Sequence, residues 1–401
     1  MKRMLTLVLL LMSLSPAAWA QPEGGAVGGS EPPAAAPDTP PPAEQAPPAP
    51  SATPAPRARA ESDGTTGRHG VLLPAGLRLN GFFDGAYERR GYSGDLGDGH
   101  DELRNYHHFV FLTRQSASDP FGINVELVDL TFYEITYRLH EIDKPWRVLA
   151  RAGKIVVPFG VSEPLFHNAY GGRAGFDQEL LPLVWSQLGL AVQGQLRLGD
   201  FAVRDDLYII QGYKLSAPDA VINLQSDFSS TDDVRFGFGD RLGISYGPLT
   251  AMYSIYLNRV GFRRLLVMQA LDLGLARVPG VPVLDRLEVA VGAVRADVSG
   301  GFTGVGGAGK DYYHFGDYLT VRFWPTDWLW LQARGGFKTV DNRRGLYYDS
   351  TRKSQDDRSS YNVALGVVSG GLGVSLWHFW NLEKVNEKKD DFLRLWVTYA
   401  F

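Results

Sequence analysis

The strongest constraint on this chain is a two-residue alternation of apolar and polar side chains that recurs in long segments and runs to the last residue. From Gln187 to Leu198 the even positions Leu188, Leu190, Val192, Gly194, Leu196 and Leu198 are apolar or small, while Gln187, Gln193, Gln195 and Arg197 occupy odd positions. Thr131, Tyr133, Ile135, Tyr137 and Leu139 alternate with Phe132, Glu134, Thr136 and Arg138. Leu393, Leu395, Val397, Tyr399 and Phe401 alternate with Arg394, Trp396, Thr398 and Ala400. Side chains on a strand point to opposite faces in turn, so each segment separates two different surroundings. After Ala60 no run of eighteen apolar residues occurs, so no segment is apolar enough for a membrane-crossing helix.

A soluble sandwich also alternates, and three features argue for a membrane barrel instead. The segments reach twelve residues or more, longer than the five or six usual in globular sheets. Tight turns at Gly199-Asp200, Tyr246-Gly247-Pro248, Pro325-Thr326-Asp327 and Gly370-Gly371 alternate with long polar stretches at 89–103, 158–183, 214–233, 340–359 and 382–390. Short turns at one end and long loops at the other are the asymmetry of outer-membrane barrels. Aromatics crowd strand ends, as in Phe323, Trp324, Trp328 and Trp330, or Trp377, Phe379 and Trp380, where interfacial girdles belong.

The pattern predicts an all-β, antiparallel up-and-down transmembrane barrel of sixteen strands, with fourteen and eighteen as alternatives. The strands fall near 77–88, 105–114, 122–129, 131–140, 146–156, 185–198, 201–212, 235–246, 249–258, 262–275, 284–297, 311–324, 327–339, 360–369, 371–381 and 391–401. Ahead of them, Lys2 and Arg3, the apolar run Leu5–Leu14 and Ala18-Trp19-Ala20 form a secretory signal peptide over 1–20. Residues 21–61 form a Pro/Ala-rich disordered tether: 12 of the 24 prolines lie between Gln21 and Ala60. The barrel then occupies 62–401, in the outer membrane of a Gram-negative cell and in contact with its lipid.

The closing strand, with its terminal aromatics Tyr399 and Phe401, resembles the assembly signature of Gram-negative outer-membrane proteins, which implies the barrel-assembly machinery as a partner. Gly153 and Lys154, leading to Pro158-Phe159-Gly160, resemble the strand-to-loop signature of the phosphate-selective porin superfamily. That resemblance implies a sixteen-stranded channel, a homotrimer and passage of anions. A dedicated phosphate site does not carry over, because Arg173 is the one Lys or Arg in the loop after Gly160, beside Glu163, Asp177 and Glu179.

With the apolar phase toward lipid, the opposite phase carries Arg78, Arg138, Arg147, Arg151, Arg197, Arg204, Arg235, Arg241, Arg264, Arg286, Arg322, Arg334, Lys338 and Arg394 into the lumen. Asp84, Glu88, Glu134, Asp206, Asp272 and Glu288 share that phase. Such a lining lowers the barrier for anions. The alternative is that these cations pair with the acids and fill the interior. Inward Tyr318, Trp330 and Trp396 offer ring faces to sugars, the other transported class considered.

With no cysteine, a net charge of −4, and no hydrolase elbow, phosphate loop or zinc-ligand spacing, the sequence predicts no enzyme, no metal, no cofactor and no nucleic-acid partner. The acids Asp95, Asp98, Asp101 and Glu102 in the first outer loop do not have the spacing of an EF-hand. The function expected is passive diffusion of small hydrophilic solutes, anions ahead of cations. The competing expectation is a structural or export barrel of an envelope machine, as in polysaccharide export, whose Pro/Ala tail contacts periplasmic partners.

Overall fold

The computed structural model of the chain describes residues 70–90, 101–105, 108–114, 119–128, 130, 132–139, 145–160, 186–214, 229, 234–261, 264–299, 312–341, 358–383 and 391–401. The stretches expected to form the signal peptide, 1–20, and the Pro/Ala tether, 21–61, lie outside these residues.

Sixteen strands are formed. They are β1 (Leu77–Arg90), β2 (in two pieces, Asp101–Arg104 and His108–Arg114), β3 (Phe121–Glu126), β4 (Tyr133–Arg138), β5 (Trp146–Val156), β6 (Ser186–Leu198), β7 (Phe201–Gln211) and β8 (Phe236–Tyr246). β9 (Leu249–Gly261), β10 (Arg264–Leu275), β11 (Leu287–Ser299), β12 (Tyr312–Phe323), β13 (Leu329–Asp341), β14 (Arg358–Ser369), β15 (Leu372–Glu383) and β16 (Phe392–Ala400) complete the wall. Both pieces of β2 pair with β1, so they form one interrupted strand. Val71–Leu72 adds a short pairing to Leu79 and Arg78.

Every strand is antiparallel to its sequence neighbour, and β16 returns to β1 with Arg394 opposite Glu88 and Thr398 opposite Asp84. The sheet therefore has no edge, which is the condition for strands to stand in hydrocarbon. Strands of eleven to thirteen residues, as in β5, β6 and β8, tilted as barrels require, span roughly 25–30 Å, the thickness of an outer membrane. Their outward phase is apolar over long arcs, with Leu365, Leu376, Leu395 and Val397 all exposed.

The turns form where the sequence placed them. Gly199, Gly247 and Gly370 take left-handed backbone conformations that side chains resist, which lets two-residue turns reverse the chain. The opposite end is less uniform than the sequence suggested, since β9 and β10 are separated by residues 262–263 alone and β3 and β4 by 127–132. At the turn joining β2 to β3, the Asp119 carboxylate accepts the Phe121 amide at 2.9 Å and pairs with Arg114 at 2.7 Å. The Phe121 amide first, and Arg114 after it, hold this carboxyl below the usual range.

The chain's last residue completes the seam. Phe401 and Gly81 exchange backbone hydrogen bonds of 3.0 and 3.1 Å, and the Phe401 ring covers the place where a side chain at Gly81 would stand. The ring also stacks at 6.0 Å on Phe83 and at 6.2 Å on Tyr399. Replacing Phe401 by Ala is expected to cost about 1–2 kcal/mol of barrel stability, from partial loss of buried ring area. Urea unfolding from lipid vesicles, followed by heat-modifiable gel mobility, measures it. Because the Asp119 carboxyl is held low, its stabilising contribution is present at neutral pH and is lost as pH falls through the lowered value. Unfolding of Asp119→Asn across the acid range is expected to show a flatter pH dependence than the native chain.

Candidate functional site: the barrel interior

The inward phase carries the charged chemistry. Of the fourteen cations named from the sequence, those on strands stand on it, in different situations; Arg286 lies exposed on a short 3-10 turn (Leu284–Arg286) ahead of β11, and Arg235 just before β8. Arg151, Arg241, Arg204 and Arg394 bind acids. Arg151 donates to Glu134 at 2.7 and 2.8 Å across the β4–β5 pair. Arg241 donates to Asp206 at 2.8 and 3.1 Å, and Arg204 reaches the same oxygen at 2.9 Å. Arg394 grips Glu88 at 2.5 and 2.6 Å with both side chains almost fully buried.

Two others hold turns through carbonyls, Arg138 to Asp119 at 3.1 Å and Arg286 to Pro325 at 2.5 Å. Arg78, Arg147 and Arg197 are exposed at the turn end of β1, β5 and β6, while Arg235 is half-buried beside β8 and Arg264 is buried at the loop end of β10.

The remaining three form a ladder on neighbouring strands. Arg322 of β12 donates to Gln332 at 2.7 and 3.0 Å and lies 4.9 Å above the Trp330 ring. Arg334 of β13 stands opposite Thr320, 4.6 Å from the Tyr318 ring, and Lys338 stands opposite Gly316 two inward positions further up. A guanidinium over an aromatic face keeps its charge and gains a fixed orientation. The six acids named from the sequence share the inward phase, and Tyr318 donates to Asp272 at 2.8 Å. Glu126 and Glu102 join them; the first was missed because it ends β3, where its carboxylate caps the short turn by accepting the Val128 amide at 2.7 Å.

Sequence reasoning also missed that one wall of the interior is apolar. Tyr208, Ile210, Tyr256, Val260, Leu266, Met268, Ala270, Val294, Ala296 and Val298 face inward from β7 and β9–β11 and pack against Ile155, Val157 and Phe159. The chain leaving β5 thus turns into the barrel, and the Gly160 amide reaches Ser254 on β9 at 3.2 Å. The five-residue motif explains how. Gly153 adopts φ +134°, and a Cβ there would lie 2.2 Å from the Tyr133 carbonyl; Gly160 adopts φ +66° at the turn. Pro158 and Phe159 are buried between them, and Lys154 points outward to the Leu130 carbonyl at 3.4 Å. The signal available was that both phases of β10 are apolar, as in Leu265-Leu266-Val267-Met268, the mark of a strand covered on both faces.

Trp330, Trp377 and Trp396 face inward and are packed with Phe379 into one cluster, Trp330 and Trp377 at 5.6 Å and Trp377 and Phe379 at 5.9 Å. Arg394 lies 5.5 Å from Trp396 within it. Among the described residues no three His, Asp or Glu side chains come together as a metal site. Asp101 stands opposite Arg89, Glu102 pairs with Arg104 at 2.7 Å, and Asp95 and Asp98 lie outside the described residues, as do Arg173, Glu163, Asp177 and Glu179.

A closed, sixteen-stranded antiparallel barrel with apolar outward arcs and a charged interior is the architecture of a Gram-negative outer-membrane porin. A solved structure agrees on the fold. The chain is similar to the anion-selective porin from Comamonas acidovorans, with 11% identity over 81% of this chain and 99% of that one and a TM-score of 0.51. The outer membrane channel DcaP of Acinetobacter baumannii follows with 12% identity, 83% and 99% coverage and a TM-score of 0.49. No family model matches the sequence, and no curated protein does.

Arg394→Ala removes the closest partner of the buried Glu88 carboxylate, whose other ion pair, to Arg104, is 3.7 Å long, and is expected to cost up to about 3–5 kcal/mol. The double variant Glu88→Gln/Arg394→Met is expected to recover most of that loss. Urea unfolding of the three proteins in vesicles checks both.

Proposed function

We propose that the barrel is a passive diffusion channel for small hydrophilic solutes and that it favours anions. One observation carries the reading: the cations of the inward phase outnumber its acids. Glu88, Glu134 and Asp206 are each answered by arginine, Arg322, Arg334 and Lys338 stand on one stretch of wall, and the exposed Arg78, Arg147 and Arg197 stand at the turn-end mouth. Fixed cations staged along one wall give an anion successive weak sites, which is the condition for entering and for leaving.

Sugars are the weaker candidate. The rings that could carry them are packed on one another, Trp330, Trp377 and Trp396 forming one cluster with Phe379. The rest of the proposal follows from export: residues 1–20 as a cleaved signal, 21–61 as a periplasmic tether, the Phe401 strand as the element handed to the assembly machinery, and a homotrimer as the assembled form.

The test is electrical. Reconstituted in a planar bilayer under a KCl gradient, the channel is expected to give a reversal potential of anion-selective sign. Arg322→Gln/Arg334→Gln/Lys338→Gln is expected to move it toward the cation side with little change in folding. A cation-selective sign for the native chain overturns the anion preference, and the absence of any conductance overturns the channel.

A further inference from the structure

The polarity of the wall is inverted at mid-height on β10 and β11, and outward polar groups extend from there to β7 and β12. On β10 the inward Met268 and Ala270 flank an outward Gln269, and on β11 the inward Val294 and Ala296 flank an outward Arg295. Register extends these positions into two adjacent outward rows. One runs through Asp240, Ile255, Gln269, Arg295 and Phe315, the other through Asp205, Leu242, Tyr253, Leu271, Ala293 and Asp317. Polar and charged side chains therefore alternate with apolar ones across six strands, four to eight residues in from the turn end, where the hydrocarbon would be deepest.

Some of these groups satisfy one another. Gln269 donates to the Tyr253 hydroxyl at 3.0 Å, Asp317 accepts the Phe337 amide at 3.0 Å, and Arg295 is paired with Asp297. Asp205 and Asp240 lie within hydrogen-bonding reach of each other on neighbouring strands, two carboxyls that lipid chains cannot solvate. The opposite side shows no such band. Along β14–β16 the outward positions at mid-height are Val363, Leu365, Val374, Leu376, Leu395 and Val397 with the single polar His378, whose ring stacks on Trp380 at 4.2 Å, and the outer groove there, about 530 Å³, is lined mainly by apolar side chains.

We propose that the outward face of β7–β12 is covered by a second copy of this chain, with the Asp205–Asp240 end of one copy seated against Arg295 of the next. Charge complementarity argues for this occupant. The acids lie on β7–β8, and Arg295, whose side chain keeps 41% exposure despite Asp297, lies on β11 at the same height. Rotation about an axis along the membrane normal brings the first end of one copy against the second end of its neighbour, whether the ring closes with two copies or three. Lipid then meets the arc of β13–β16.

The chain has no cysteine, so paired cysteines read the contact directly. Positions 205 and 295 are four strands apart in one copy, roughly 15–20 Å, far beyond the reach of an internal disulfide. In outer membranes treated with a mild oxidant, Asp205→Cys/Arg295→Cys is expected to give covalent dimers and larger species. Leu365→Cys/Leu395→Cys, on the opposite arc, is expected to stay monomeric. A second measurement does not depend on cysteine: Asp205→Leu/Asp240→Leu is expected to lower the temperature at which the oligomer falls apart in detergent. Monomer alone from the first pair in a folded, conducting barrel overturns the proposal, as does a cross-link to a different protein, or an oligomer whose dissociation the leucine variant leaves unchanged. Because conductance is read on the same samples, loss of the channel and loss of the contact are separate results.

Discussion

The rest of the structure depends on the meeting of its two ends. In hydrocarbon an unpaired backbone amide has no solvent, so a sheet can cross only if its last strand finds its first. Here that seam runs between β1 and β16, and its side chains reinforce what the backbone requires. At one end Phe401 exchanges hydrogen bonds with Gly81 and fills the space above it. Further along, Arg394 and Glu88 stand in register and bury a charge-assisted pair on the inner side. An ion pair in such a place gains little over apolar residues of similar volume, but it penalises every register that separates the two charges. The seam is thus both the weakest topological point and the most tightly specified one.

Inside the barrel, charge and packing divide the work by location. Where the wall is polar, arginines are anchored by acids, carbonyls or aromatic faces, so their orientation is set before any solute arrives. Where the wall is apolar, from β7 to β11, it is covered by Ile155, Val157 and Phe159 as the chain leaves β5. Two glycines make that excursion feasible, and the Gly160–Ser254 bond ties it to β9. An interior arranged this way is narrowed from one side, and the cation ladder of β12 and β13 stands on the wall that stays polar.

Most of this was legible in the sequence, and the exceptions have a common cause. Strand count and turns could be read because glycine at Gly199, Gly247 and Gly370 is a backbone requirement, and because the alternation of β6, β14 and β16 reflects two solvents with sharply different demands. The inward phase of Arg322, Arg334 and Arg394 followed from the same alternation. Which of these arginines would meet an acid did not, since Arg394 and Glu88 are 306 residues apart and only closure brings them together. The interrupted β2 was read as a single strand starting at 105, because the break between Arg104 and His108 leaves no signal in hydropathy.

The rule that the apolar phase faces lipid holds only where lipid is the neighbour. At mid-height on β10 and β11 both phases carry apolar residues and the polar Gln269 and Arg295 fall on the outside, while Arg264, Asp272 and Glu288 keep the inward phase nearer the strand ends. A strand whose inner side chains are sealed by another part of the chain no longer needs water within, so its inner face can be as apolar as any core. Its outer face is then free to carry polarity, provided something other than hydrocarbon receives it. Inversion on one arc and ordinary polarity on the other are therefore two consequences of one fact, that this wall separates different surroundings around its circumference. Alternation along a strand reports only that its two sides differ, and it takes the closed barrel to say which neighbour each side has.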